Sequence, residues 1–195
     1  MNEFEIIEKF FNTSQTGAGV RTGIGDDCAV LEHSSDEDLI VTSDTLVENV
    51  HFPSASPPDK LGYRSCATAL SDIAAMGGTA RWASLALTLP DIDESWLARF
   101  VTGFKSALAI DGTSLIGGDL SRGPFTLTWH ITGTVANNSA LLRSGCLAGD
   151  DIYVSGTLGG AAYALDFLQS DDVDPALVER YWFPQPRLEL GRAIA

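Results

Sequence analysis

Ala69-Leu70-Ser71-Asp72-Ile73-Ala74-Ala75-Met76-Gly77-Gly78, running straight into Thr79-Ala80-Arg81-Trp82-Ala83-Ser84-Leu85-Ala86-Leu87-Thr88-Leu89-Pro90, is the stretch that decides the fold. Its first half closes a helix. Pro57-Pro58-Asp59 supplies the start signal, since a proline fits the first helical turn and an early acid suits its positive end. Leu61, Cys66, Leu70 and Ile73 give that helix one apolar side, and Gly77-Gly78 stops it. The second half is an apolar run over residues 82–89 ended by Pro90, which reads as a strand. A long helix passing through a glycine stop into a buried strand predicts helices layered on a sheet.

Upstream, residues 3–12 carry apolar side chains at helical spacing and predict a short amphipathic helix. Residues 13–25 are polar and glycine-rich and read as a mobile loop. Residues 28–31 and 39–45 read as strands around a charged loop. Downstream, Asp93 or Ser95 can cap a helix to about Ile110, with Trp96, Leu97, Phe100, Phe104 and Leu108 on its buried stripe. Residues 114–116 form a short strand entering Gly117-Gly118-Asp119, and 126–135 alternate with Leu127, Trp129 and Ile131 on one face.

The expected order is β-β-α-β-α-β-β, an α/β layered domain over residues 1–136. Ala136-Asn137-Asn138-Ser139 is the first turn-rich break, so residues 137–195 read as the beginning of a second domain. There a strand is expected at 151–154, a glycine turn at 156–160, a helix at 161–169 and a further helix at the end. That is too little material for an independent core, so the second domain reads as incomplete.

The 195 residues carry 26 acidic and 12 basic side chains, a formal charge of −14. Such a surface repels nucleic acid and anionic lipid, and neither is an expected partner. No apolar run is long enough to span a bilayer, and Met1-Asn2-Glu3 opens acidic, so no leader is expected. Cys28, Cys66 and Cys146 are odd in number and widely spaced. They read as reduced thiols of a cytoplasmic protein, without a zinc knuckle.

Acidic groups recur at strand and helix ends. Asp26-Asp27 follow Gly23-Ile24-Gly25, Asp44 ends Val41-Thr42-Ser43-Asp44, Asp72 lies in the last turns of the first long helix, and Asp119 follows Gly117-Gly118. Any one alone is more simply a cap or turn residue. As a set aimed at a shared cleft they would repel one another unless cations were present. Carboxylates with neighbouring hydroxyls are the oxygen ligands that Mg²⁺ prefers. In a strongly acidic chain a divalent ion is also the simplest way to admit phosphates.

The common nucleotide devices are absent. There is no G-x-x-x-x-G-K-[ST], the lysines are only Lys9, Lys60 and Lys105, and the protein-kinase motif set is not found. Gly156-Thr157-Leu158-Gly159-Gly160 reads as a tight strand-to-helix turn, and Arg143 as a surface cation able to clamp a phosphate. His51, in a loop soon after the Asp44 strand, could donate to a substrate phosphate. His130 reads as an ordinary strand residue, and His33 carries no role.

Gly23-Ile24-Gly25-Asp26-Asp27-Cys28-Ala29, Thr42-Ser43-Asp44-Thr45-Leu46-Val47, His51-Phe52, residues 69–77 and Leu115-Ile116-Gly117-Gly118-Asp119 together resemble the thiamine-monophosphate kinase family. The similarity is collinear over nearly the whole chain. Single motifs are shared with a wider ATP-binding superfamily that includes aminoimidazole ribonucleotide synthetase and selenophosphate synthetase. His51, Leu87-Thr88-Leu89-Pro90 and Leu142-Arg143-Ser144-Gly145 point to the kinases.

The resemblance implies Mg²⁺ ligation by Asp27, Thr42, Ser43, Asp44, Asp72 and Asp119. It implies thiamine monophosphate contact at His51, and ATP contact at Asp27, Gly118, Asp119 and Arg143. It further implies a mixed sheet, a homodimer joined through the sheets, and a C-terminal ATP-binding domain of which residues 137–195 are the beginning. The family's D-x-S-D-G and G-G-E-D-Y motifs lie beyond the stretch present here. The implied reaction is direct in-line transfer from ATP to the phosphate of thiamine monophosphate, with no covalent or general-base residue. Two alternatives stand beside it: another Mg-ATP synthetase of the superfamily, and a non-catalytic metal-binding or dimerising fragment. Selenophosphate synthetases place a Cys or selenocysteine and a Lys in their N-terminal glycine loop, and residues 16–25 contain neither.

Overall fold

A computed structural model describes residues 3–12, 17–22, 24, 30–168 and 174–195 of the chain. Asp26, Asp27, Cys28 and much of the glycine-rich stretch 13–25 lie outside the described residues.

Four long strands make the central sheet: β3 (Glu37–Val47), β4 (Thr79–Leu89), β5 (Ser114–Arg122) and β6 (Thr126–Ala136), in the spatial order β3-β6-β4-β5. β6 runs antiparallel to both β3 and β4, whereas β4 and β5 are parallel. A parallel pair needs a long crossover, and the helix α3 (Glu94–Leu108) provides it. Ahead of the sheet come α1 (Glu3–Ile6), which passes into a π-turn at Ile7–Phe11, and a small antiparallel pair, β1 (Val20–Thr22) with β2 (Val30–Leu31). The sheet is therefore mixed, with helices packed upon it.

The period-two alternation of β6 sets the two faces. Leu127, Trp129 and Ile131 are fully buried under the helices, while Thr128, His130 and Thr132 face the other way. Leu85, Leu87 and Leu89 of β4 join the same core. Over that face lies α2 (Pro58–Ala75), with Leu61, Cys66, Leu70 and Ile73 all buried. α3 packs beside it through Leu97, Phe100, Phe104 and Leu108. Its start is fixed by Asp93, whose carboxylate accepts the backbone N–H groups of Ser95 at 2.8 Å and Trp96 at 3.1 Å. Trp96 itself is only half-buried, at the rim of the stripe. The one polar atom that Trp129 brings inside is satisfied, its Nε1–H donating to Ser65 Oγ at 3.0 Å. Burial pushes the Cys66 thiol well above its ordinary pKa, so it acts as a small neutral core side chain.

The opposite face is covered at its β4 end by the N-terminal segment, where Trp82 Nε1–H donates to the Ala18 carbonyl at 3.2 Å. At its β3 edge the same face is open, and Leu39 and Val41 are 49% and 69% exposed.

β5 extends to Arg122 rather than ending at Ile116, because Gly118 lies directly against β4. A Cβ at Gly118 would sit 2.0 Å from the Leu85 carbonyl oxygen, so only a glycine lets the parallel strands approach so closely. Beyond Ala136 the chain loses regular structure until α4 (Gly160–Asp166), followed by α5 (Pro175–Trp182) and α6 (Leu188–Ile194). The strand expected at 151–154 is not formed. No strand pairs with it among the described residues, and Ile152 and Tyr153 are 92% and 88% exposed. Alternation alone cannot hold a strand without a partner ladder.

α6 returns to the main core. Leu188 is buried there, and Arg192 Nη1 donates at 2.7 Å to Asp111, whose other oxygen accepts the Ala80 N–H at 2.8 Å. α4 and α5 share a separate small cluster around Ala164, Tyr181 and Trp182. It is tied to α2 by Arg64, whose Nη1 donates to the Tyr181 carbonyl and whose guanidinium lies 4.0 Å from that ring's centroid.

Candidate active site

β3 presents its residues alternately to the two faces of the sheet. Thr42 lies opposite Ile131 and Asp44 opposite Trp129, so both side chains point to the helical face. Thr42 Oγ1 donates to Asp72 Oδ2 at 2.6 Å, which brings the α2 carboxylate against the strand. Thr42, Asp44 and Asp72 thus form one wall of hard oxygen donors where the edge strand meets the last turns of α2. Asp72 is exposed and Asp44 half-buried, so the wall is open to a ligand.

Ser43 points to the other face, where its Oγ shares a hydrogen bond of 2.5 Å with His130 Nδ1, its partner across the β3–β6 ladder. No local sequence signal marks this pairing, because only the strand register brings the two residues together. Asp119 also lies on that second face. It is aligned with Ala86 of β4 and, through β6, with Thr128 and Thr45. Its Oδ2 accepts from Ser121 Oγ at 2.7 Å. Because β3 and β5 are the two edges of the sheet, Asp119 and Gly118 stand three strand spacings, about 14 Å, from the row that holds Asp44. The structure therefore places Thr42, Asp44 and Asp72 on one side of the sheet, with Thr42 bonded to Asp72, and Asp119 on the other. Asp27 lies outside the described residues. Among the described residues no three His, Cys, Asp or Glu side chains are grouped closely enough to enclose a metal alone. Mg²⁺ is commonly held by one or two carboxylates with substrate phosphates and waters filling the rest of its shell. The Asp44–Asp72 wall, with its hydroxyl, fits that mode.

The loop after β3 is tightly folded. The N–H groups of Val50 and His51 both donate to the Val47 carbonyl, at 3.1 and 2.9 Å, and Asn49 takes φ +61°, which asparagine tolerates. The Val47 N–H donates in turn to His51 Nδ1 at 3.0 Å. An Nδ1 that accepts a hydrogen bond cannot carry a proton, so the neutral ring holds its proton on Nε2, the outer nitrogen. The exposed His51 is thus set as a hydrogen-bond donor toward solvent and toward any anion placed there. Arg143 is exposed in the irregular segment between β6 and α4.

Residues 25–135 match the family model AIR synthase related protein, N-terminal domain. The chain is 40% identical over 202 residues to the thiamine-monophosphate kinase of Haemophilus influenzae, covering 100% of this chain and 61% of that protein. Among solved structures, the thiamine-monophosphate kinase of Stenotrophomonas maltophilia K279a superimposes with a TM-score of 0.88 at 38% identity, over 100% of this chain and 65% of its own. AaThiL complexed with AMPPCP and TMP superimposes with a TM-score of 0.75 at 28% identity, over 98% of this chain and 60% of its own. The chain thus spans about three fifths of the length of the relatives it matches. By its matched domain, this chain belongs to the AIR synthase related protein family.

Proposed function

We propose that this chain is the N-terminal portion of an ATP-dependent thiamine-monophosphate kinase that forms thiamine diphosphate with Mg²⁺. The observation that carries the reading is the Thr42–Asp72 hydrogen bond. It holds two of the family-like segments against each other as a single oxygen-donor wall, in a chain 40% identical over its full length to a kinase of that name. In this reading residues 1–136 hold the metal wall and the acceptor, and residues 137–195 begin the ATP-binding domain. Two copies join through the open sheet face at Leu39 and Val41, whose exposure suits a covered surface. The setting is cytoplasmic. Among the described residues no helix is long and apolar enough to cross a membrane.

On the helical face, Thr42, Asp44 and Asp72 are the residues that would hold Mg²⁺, which when bound offsets the charge of the reacting phosphates; Ser43 and Asp119, on the sheet's other face, and Asp27 are carried as ligands by the family resemblance alone. Asp44 and Asp72 would set where the metal's charge sits, and Thr42 holds Asp72 in place. His51 donates from Nε2 to the acceptor phosphate. Gly118, Asp119 and Arg143 meet the nucleotide. A terminal oxygen of thiamine monophosphate forms the new bond to the γ-phosphorus of ATP, and the bond from that phosphorus to the bridging oxygen breaks, releasing ADP. The attacking oxygen is already ionised near neutral pH, so no side chain need remove a proton.

The deciding assay is thiamine diphosphate formation from thiamine monophosphate, ATP and Mg²⁺, with free thiamine as control. It should be run on this chain and on the chain extended to the length of its relatives. Product from the monophosphate alone is expected. Absence of product from the extended chain would overturn the assignment.

His51 gives a sharper test of the acceptor site. In His51→Asn the side-chain oxygen can still accept the Val47 N–H, but the outward Nε2–H donor is gone. KM for thiamine monophosphate is expected to rise about tenfold, the equivalent of one lost hydrogen bond to a charged group, with the melting temperature unchanged. An unaltered KM would remove His51 from the substrate contacts.

A further inference from the structure

Two arginines that the reaction described above does not use converge on one glycine. Arg180 comes from the last turn of α5, and Arg187 from the residue that precedes α6. A Cβ placed on Gly156 would lie 3.3 Å from Arg180 Nη2 and 3.7 Å from Arg187 Nη2, so the two guanidinium groups stand within about 7 Å of each other. Arg180 Nη1 also donates to Thr157 Oγ1 and lies 3.8 Å from the Cβ position of Gly160. The Arg187 guanidinium donates to Gln185 Oε1 at 3.3 Å.

Like charges brought this close repel, and proteins usually relieve the repulsion with a carboxylate. Five other cations of this chain each have a carboxylate partner: Lys9 pairs with Glu94, Arg81 with Glu37, Arg99 with Asp59, Arg122 with Asp91 and Arg192 with Asp111. Arg180 and Arg187 meet no carboxylate among the described residues, although the chain has more than twice as many acids as bases. Among the described residues their side-chain partners are a neutral hydroxyl and a neutral amide. The space between them is kept open because position 156 has no side chain. Gly156 takes φ +100°, where other residues are strained, and any Cβ there would touch both guanidinium groups. Guanidinium forks match the oxygens of a tetrahedral anion bidentately. An overall charge of −14 excludes a polyanion such as nucleic acid as the occupant and favours a small one.

We propose that Arg180, Arg187 and Thr157 form, around Gly156, a metal-independent subsite for a phosphate group of a small phosphorylated ligand. The anion would lie between the two guanidinium groups and accept from both, with the Thr157 hydroxyl as a third donor. The subsite itself rests on these contacts alone. Only its assignment to a particular substrate phosphate rests on the kinase reading.

The test is calorimetric titration of the chain, without metal and with EDTA present, using three probes: inorganic phosphate, thiamine monophosphate and ATP. Wild-type protein should bind at least one of them. Arg180→Gln and Arg187→Gln should each weaken that binding at least fivefold, and the double variant should abolish it. Arg187→Lys keeps the charge without the fork and should fall between. Arg122→Gln, which removes an exposed cation elsewhere, should change nothing. Preference for thiamine monophosphate assigns the subsite to the acceptor, preference for ATP to the donor, and equal binding of inorganic phosphate to phosphate alone. All three support the proposal. Equal affinity in wild type and both glutamine variants, or no binding of any probe at millimolar concentration, overturns it. If Arg187→Gln fails to fold, Arg180→Gln carries the same comparison, since Arg180 is exposed at a helix end. The readout involves no turnover. An inactive extended chain that still binds phosphate through these arginines would defeat the kinase reading and leave the subsite standing. The reverse result would do the opposite.

Discussion

Asp72→Asn is expected to lower kcat/KM for thiamine diphosphate formation by about a hundredfold or more, and to raise the melting temperature slightly. The two effects have one origin. Asp72 sits in the last turns of α2, where backbone carbonyls make the helix end negative, and that last turn contains no basic residue. A carboxylate there is disfavoured by roughly 0.3–1 kcal/mol. Asparagine has nearly the same shape, and its amide oxygen can still accept from Thr42 Oγ1, now at 2.6 Å from the Asp72 carboxylate. The substitution therefore spares the packing and removes only the charge. A residue that costs stability where it stands and is held by a dedicated hydrogen bond has the signature of a functional group. Turnover should be measured in the chain extended to the length of its relatives. Mg²⁺-dependent nucleotide binding and thermal melting can be measured on the chain as it is. A variant of normal activity, or one that loses activity only because it melts earlier, would show that Asp72 is a structural residue.

The same contact shows what the sequence could and could not convey. The helices α2 and α3 were legible because their signals are local: Pro58 at the start, Asp93 as a cap, an apolar stripe at helical spacing, and glycines at the end. The split of Thr42 and Asp44 from Ser43 was also latent in the alternation of a strand. The side of the sheet that Asp119 takes was not, since it depends on the register of β5 against β4. That register was obscured by Gly117-Gly118, which reads as a strand end and in fact permits a close strand approach. The exposed segment at 151–154 failed in the other sense, with a strand-like composition and no ladder to join. Val20–Thr22, inside a stretch expected to be a loop, pairs as β1 because β2 supplies a partner. The Ser43–His130 bond and the meeting of Arg180 with Arg187 join residues from separate elements. Nothing in one sequence announces such contacts.

Gly103→Ala is the second large effect, and its sign separates two physical accounts. By helix propensity alone, replacing a mid-helix glycine with alanine stabilises by up to about 1 kcal/mol. Gly103 lies where α3 crosses α2, and a Cβ there would be 1.9 Å from the Asp59 carbonyl oxygen. The contact is reciprocal, for a Cβ at Gly62 of α2 would fall 2.2 Å from the Phe100 carbonyl oxygen of α3. A carbon and a carbonyl oxygen settle near 3.3 Å, so the helices must part by roughly 1.4 Å along that line. No rotamer can relieve the clash, because both partners are backbone. Separating two helices that share Leu61, Leu97, Phe100 and Phe104 opens the centre of the core. The expected outcome is a net loss of about 3 kcal/mol, at the upper end for overpacking, seen as a melting temperature lower by roughly 6–12 °C for a chain of this size. Thr102→Ala, on the exposed side of the same helix, should leave it nearly unchanged. A Gly103→Ala protein as stable as wild type would mean that the two helices can separate freely. The wall built from β3 and α2 would then have no fixed geometry, because Asp72 rides on the helix that this crossing holds in place.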